Sequence, residues 1–152
     1  MVNYQVFSIP RNILSNLPEA DTWEVYDEEC KRADIKLNDS VLDKILSCSN
    51  TNLNRNEKRY TVHKVKYSTE YSNNEHYSIS EHEDNCRFTI IIYLEKSPQI
   101  RDEFWVGQHK IEQNLWHRTN NTYKGLIFWG NSPHKGKIFG KGKRDIICFF
   151  CD

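Results

Sequence analysis

Six short runs dominate the chain from residue 60 onward: YTVHKVKY, CRFTIIIYLE, DEFWVGQHKI, NLWHRT, YKGLIFWG and RDIICFFC. Each is rich in β-branched and aromatic side chains, and the turn-prone segments SNN, KSP, NNT, NSP and GKG separate them. Such residues fit the pleated, half-buried surface of a sheet, so the pattern predicts an all-β barrel or two-sheet roll. Before residue 60 the pattern changes. Pro18 opens PEADTWEVYDEECKRA with acids in its first turn, and DSVLDKILSC carries apolar residues at 41, 42, 45 and 46 behind an Asp39 or Ser40 cap. Residues 1–59 are therefore expected to give helical support and connection, including an exposed SNTNLNRNEKR link, to a β core over 60–152. At 152 residues the chain is long enough for one domain with a real core and short for two, so 1–152 reads as a single domain.

Lysine plus arginine and aspartate plus glutamate balance at 21 each, so no global field draws the protein to nucleic acid or an anionic membrane. A partner must be recognised locally. No run has the length and apolarity of a membrane-spanning helix. The five cysteines are scattered, and MVNYQVFSIPRN lacks the long apolar core of a secretory leader, so reduced thiols in a soluble, cytoplasmic protein are expected. The closing CFFC has the spacing of redox and zinc motifs. On a strand, however, a spacing of three sends the two thiols to opposite faces, which favours core filling.

Neutral imidazole is the commonest metal ligand, and the chain has six histidines. His82 and Asp84 stand two apart just ahead of the strand-like FTIIIYL, and His134 follows GLIFW and a GNSP turn. On a strand, residues two apart share a face, so His82 and Asp84 can reach one ion while Glu83 points elsewhere. Two imidazoles and a carboxylate on one face of an octahedral ion leave three adjacent positions open, the arrangement of non-haem Fe(II) oxygenases. Arg144 lies ten residues after His134. A permanently charged, planar guanidinium aimed into a barrel beside a metal suggests an anionic co-substrate. The alternation in TIIIYL puts Thr89, Ile91 and Tyr93 on one face and Ile90, Ile92 and Leu94 on the other. His63, His76, His109 and His117 read as surface or loop residues, and the lysines of HKGKIFGKGKR as solvated hairpin charges.

From His82 to the C-terminus, a little under half the chain, the succession HED, TIIIYLEK, KGLIFWGNSPHKG and GKRDIICFF resembles the Fe(II)- and 2-oxoglutarate-dependent dioxygenases, most of all the prolyl hydroxylase branch. The resemblance implies a double-stranded β-helix, the jelly-roll core shared with cupins. It implies that His82, Asp84 and His134 hold iron, that Arg144 anchors the distal carboxylate of 2-oxoglutarate, that Tyr93 shares that carboxylate and that Tyr67 lies near it. It implies a hydroxylase that uses O2 and acts on a peptide or protein side chain such as proline. The glycine pair that usually follows the Tyr-Leu strand is replaced here by SPQIRDEFWVG, so the loop rimming the pocket differs. Two other readings share the fold: an AlkB-like nucleic-acid demethylase, marked by a basic groove near HKGKIFGKGKR, and a non-catalytic binding module.

Overall fold

The computed structural model describes residues 4–20, 22–54, 59–69, 76–111, 115–116 and 121–152. Among the described residues, eleven strands form two antiparallel sheets. They are β1 (Tyr4–Pro10), β2 (Glu24–Val25), β3 (Cys30–Asp34), β4 (Tyr60–Ser68), β5 (His76–His82), β6 (Phe88–Lys96), β7 (Arg101–Val106), β8 (His109–Lys110), β9 (Thr122–Trp129), β10 (His134–Phe139) and β11 (Lys143–Cys151). The larger sheet runs β1-β9-β6-β11-β4-β3-β2 and the smaller β5-β10-β7-β8. Among the described residues the helices are α1 (Asp39–Ser47) and a 3-10 turn at Arg11–Leu14.

The larger sheet is buried on both faces. Its outer face, with Ile90, Ile92, Ile127, Ile147 and Phe149, packs against Leu42, Ile45 and Leu46 of α1. Its inner face, with Ile91, Leu126, Phe128 and Ile146, packs against Phe104 and Val106 of the smaller sheet. Burial on both sides explains why β6 reads as a continuous apolar run rather than an alternating one. The alternation still sorts the side chains: Ile91 and Tyr93 face the inner cluster, while Ile90, Ile92 and Leu94 face the outer one. Cys148 and Cys151 divide in the same way, and all five cysteines are free thiols.

The N-terminal part departs from the helical expectation. Residues 18–33 contain the β2–β3 hairpin, not a helix, and β1 is an integral strand whose Phe7 and Ile9 enter the outer core. Three local features override the helical pattern. The Asp27 carboxylate accepts from the backbone N–H groups of Glu29 and Cys30 at 2.9 Å each and closes a turn. Arg32 pairs with Glu24 across the hairpin at 3.1 Å. Along its other edge β3 satisfies the backbone of β4, which would otherwise be a bare sheet edge. The expected helix over 39–47 forms, but its cap is Asn38, whose side chain accepts from the Ser40 N–H at 3.0 Å, rather than Asp39 or Ser40.

Two further differences concern strands. HYSISEH forms β5 although it carries little apolar signal, because it is an edge strand paired on one side only, with β10. Four residues of the expected strand NLWHRT, at 114 and 117–119, fall outside the described residues, and its described pair Leu115 and Trp116 lies in a turn. Among the described residues no helix is long and apolar enough to cross a membrane.

If β1 is part of the sheet, truncating a fully buried residue on it must cost what core truncations cost. Ile9→Ala is expected to lower unfolding free energy by about 2–5 kcal/mol, and Val25→Ala on the exposed hairpin by less than about 0.5 kcal/mol. Chemical denaturation of both variants checks this, and equal effects would contradict the topology.

Candidate metal centre

His82 is the last residue of β5 and His134 the first of β10, and the two are direct partners across the antiparallel pair. Their rings lie 4.2 Å apart between centroids. Asp84 is not on a strand, contrary to the simple strand spacing. It sits in the loop after β5, where its N–H donates to the Gly130 carbonyl at 2.7 Å. That bond ties the loop to the β9–β10 turn and brings the carboxylate between the two imidazoles. His82 Nε2 lies 3.5 Å from Asp84 Oδ1, and His134 Nε2 lies 3.3 Å from Asp84 Oδ2. Gly130 is required at the junction, since a β-carbon there would collide with the Cys86 carbonyl.

The inward aim of His82 depends on a β-bulge. Gly136 pairs with Ile79, but His134 pairs with His82, so β5 carries one more residue than β10 over this stretch. The extra residue reverses the facing parity: Tyr77 and Ile79 line the cavity, and so does His82. A second bulge lies between β6 and β11, where Asp145 pairs with Glu95 but Ile146 pairs with Tyr93, next to Arg144.

Each imidazole is oriented by its own chain. The Nδ1 atoms of His82 and His134 lie 2.8 Å from the Ser80 and Ser132 carbonyls. A carbonyl can only accept, so Nδ1–H is the donor and Nε2 faces Asp84. Thr89 donates its hydroxyl proton to Asp84 Oδ2 at 2.7 Å. The three ligand atoms, one from each side chain, lie within 4.8 Å of one another. Two nitrogens and one oxygen, each positioned by a second hydrogen bond, suit a first-row divalent ion with open positions left over. The His82 side chain is 45% exposed, whereas Asp84 is 11% and His134 5% exposed, so His82 stands at the mouth.

The cavity behind the triad has a volume of about 340 Å³ and is walled mainly by apolar side chains, among them Ile79, Ile91, Phe104, Phe128, Ile138 and Ile146. Arg144 and Tyr67 also line it, and Arg144 is only 6% exposed. Lys143, one position earlier, is exposed. The Tyr67 hydroxyl is buried with no hydrogen-bond partner among the described residues. Burial pushes its pKa up to about 12, so it remains a proton donor. Tyr93 is buried behind this wall rather than on it, with the Arg144 guanidinium 5.9 Å from its ring centre and Trp116 edge-on at 5.0 Å. Its hydroxyl, too, lacks a partner among the described residues.

Some residues carry roles that the sequence reading did not give them. Asp102 on β7 takes Arg144 Nε–H at 2.7 Å on its Oδ2, and Trp116 Nε1–H donates to the same oxygen at 3.0 Å. Asp102 was hidden in the polar SPQIRDEFWVG stretch, although the inward positions Phe104 and Val106 share its parity. Tyr77 lines the cavity and donates to Asp27 Oδ2 at 2.7 Å, which fastens the β2–β3 turn to β5. His63 is neither a surface nor a loop residue: it lies on β4, lines the cavity and stands 2.6 Å from Asp34 Oδ1. His76 and His109 are exposed on strands, and His117 is outside the described residues.

Proton and metal compete for this cluster. Burial alone would lower the His134 pKa, but the hydrogen bond and charge of Asp84 outweigh it and raise the pKa above the ordinary value. Burial would likewise raise Asp84, and the hydrogen bonds from His134 and Thr89 instead hold it below the ordinary carboxylate value. In metal-free protein the His134–Asp84 contribution is therefore complete below the unfolded histidine pKa of about 6.5 and is lost as pH rises through the raised folded value. At the acid end it is lost as pH falls through the depressed Asp84 value. A metal needs neutral imidazole, so the rise in melting temperature on adding Mn(II) is expected to grow between about pH 6 and about pH 8. An equal rise at both pH values would remove His134 from the ligand set.

No family model matches the sequence, and no curated protein matches it. Among solved structures, the fold is similar to that of an oxidoreductase of the 2OG-Fe(II) oxygenase family from Burkholderia pseudomallei, with 10% identity, coverage of 92% of this chain and 74% of that one, and a TM-score of 0.48. It is similar to IDO from Bacillus thuringiensis, with 13% identity, 99% and 76% coverage and a TM-score of 0.49. It is similar also to a cupin superfamily protein from Desulfitobacterium hafniense, with 14% identity, 90% and 95% coverage and a TM-score of 0.45.

Proposed function

We propose that the protein is an Fe(II)- and 2-oxoglutarate-dependent dioxygenase on a jelly-roll, double-stranded β-helix core, and that it hydroxylates a C–H bond of a peptide or protein side chain such as proline. One observation carries the reading: a single apolar cavity is lined both by His82, Asp84 and His134 and by a buried arginine, Arg144. The metal cluster alone suits many reactions. A buried guanidinium on the same cavity, with only its Nε edge bound to Asp102, adds terminal nitrogens suited to a carboxylate ligand.

His82, Asp84 and His134 would hold the ferrous ion. When bound, it supplies the redox chemistry by which 2-oxoglutarate, O2 and R–H become succinate, CO2 and R–OH. The chain's own residues bind, orient and exclude. The Ser80 and Ser132 carbonyls fix the imidazoles, and Thr89 with the Gly130 carbonyl fixes Asp84. Arg144 takes the distal carboxylate of 2-oxoglutarate, and the un-ionised Tyr67 hydroxyl, which lines the same cavity, would donate to it. Tyr93 supports Arg144 from behind. The apolar wall keeps water from the reacting centre until substrate fills the mouth beside His82.

Peptide substrate is favoured over nucleic acid by the placement of the basic hairpin. Lys135 and Lys137 are exposed on the side of β10 opposite His134 and Ile138, and Lys135 stacks on Trp105 at 5.5 Å. Those charges lie away from the cavity. A binding module would keep the fold and show no turnover.

The test is anaerobic titration of Fe(II) and 2-oxoglutarate, followed by succinate release across peptide, nucleotide and amino-acid panels. Alanine at His82, Asp84 or His134 is expected to weaken iron binding and abolish succinate release with the fold intact. Full iron affinity in Asp84→Ala would refute the triad. Arg144→Ala is expected to raise the requirement for 2-oxoglutarate far more than Arg144→Lys, at a cost of roughly 2–5 kcal/mol, and Lys143→Ala to leave it unchanged. The reverse order for Arg144 and Lys143 would sink the co-substrate assignment.

A further inference from the structure

We infer that Asp102 is a positioning residue for the co-substrate, holding the Arg144 guanidinium by its Nε edge so that its terminal nitrogens remain available to a carboxylate in the cavity. This rests on the reading of Arg144 as the 2-oxoglutarate anchor. Arg144 comes from the larger sheet and Asp102 from the smaller, so the pair joins the two sheets behind the cavity that Arg144 lines. The contact is 2.7 Å, and the two side chains are 7% and 8% exposed.

A guanidinium carries five N–H donors in a rigid plane. The Nε contact occupies one of them and leaves both terminal NH2 groups to other acceptors. Asp102 Oδ2 also accepts from Trp116 Nε1–H at 3.0 Å, and the guanidinium lies 5.7 Å from the Trp116 ring centre. One oxygen thus sets both the edge and the face of the arginine. The other oxygen, Oδ1, is buried with no hydrogen-bond partner among the described residues. If the purpose were to neutralise Arg144, a two-oxygen, two-nitrogen fork would do it better. The single contact through Nε pairs the charges while leaving the fork of terminal nitrogens uncommitted to Asp102.

Orientation and charge are separable by substitution. Asp102→Asn keeps an oxygen acceptor for Arg144 and Trp116 and removes the negative charge that repels a carboxylate. Asp102→Glu keeps the charge and pushes the acceptor forward by one methylene. With Mn(II)-loaded full-length protein and calorimetry, Asp102→Asn is expected to bind 2-oxoglutarate within about threefold of wild type or more tightly. Asp102→Glu is expected to bind it at least about tenfold more weakly. Neither variant should alter Mn(II) affinity. Both should bind pyruvate, a 2-oxo acid without a distal carboxylate, as wild type does, which a merely structural lesion would not achieve. In turnover the Glu variant should raise the KM for 2-oxoglutarate with little change in kcat. Glu103→Gln, the neighbouring carboxylate facing the other way, serves as control.

Wild-type binding by Asp102→Glu, or a loss of about tenfold or more in Asp102→Asn, overturns the inference. Should the Glu variant fail to fold, the Asn variant and Trp116→Phe decide, the latter being expected to weaken 2-oxoglutarate and spare pyruvate. The two readings fail differently. If Arg144→Ala binds 2-oxoglutarate as wild type does, the co-substrate assignment falls and this inference with it. If Arg144→Ala loses binding while Asp102→Glu keeps it, only the role of Asp102 falls.

Discussion

Burial of the seven-stranded sheet on both faces governs the rest of the molecule. A sheet covered on one side can leave its other face to water, but here the outer face takes α1 and the inner face takes the smaller sheet. The outer layer is centred on an apolar cluster that is free to specialise in stability. The inner layer can then carry polar groups, several of them held by a specific partner. His134, Thr89 and Arg144, all buried, are the inner-face and facing-sheet residues that use this freedom, and each has a specific hydrogen bond. The division of labour runs down single strands: β6 gives Ile90 and Ile92 to one layer and Thr89 and Ile91 to the other.

The buried charges are costly. Taking an ion pair out of water carries a desolvation penalty that a single good contact barely offsets, and apolar replacements of such pairs are often as stable or more so. The pair Arg144–Asp102 is thus a poor stability device. The same holds for the His134–Asp84 contact, which exists at the expense of two well-hydrated groups. Polar side chains kept at such cost, and left with unpaired atoms such as the Tyr67 hydroxyl, single out the inner cavity as the candidate site.

Much of this was legible in the sequence. The alternation through TIIIYL sorted the two faces of β6, and the parity of KRDI distinguished exposed Lys143 from buried Arg144. The motifs around His82, Asp84 and His134 singled out the cluster, although the strand alternation argued for His82 and Asp84 does not apply, since Asp84 sits in a loop. What could not be read was set by partners distant in the chain. Residues 24–34 form a hairpin because the edge of β4 is there to receive it, and no local propensity announces that edge. HYSISEH is a strand only by virtue of pairing with β10. The place of Asp84 depends on the Gly130 carbonyl, 46 residues away in the chain. Asp102 received no role from the sequence, because its partner Arg144 lies 42 residues away on the other sheet.

The bulge in β5 has a consequence for heredity. Ile79 and His82 stand three residues apart yet both face the cavity, because the bulge absorbs the extra residue. Loss of a single codon at Ser80 or Glu81 would shorten that spacing to two, the regular inward alternation, and would leave the imidazole opposite His134. The strand can therefore lose this residue without losing its histidine from the site, whereas a further single loss or gain between the same two positions would turn the imidazole outward. Inheritance of the metal cluster depends in that sense on the parity of a three-residue spacing as well as on side-chain identity, and metal-dependent melting would report which state a given length variant occupies.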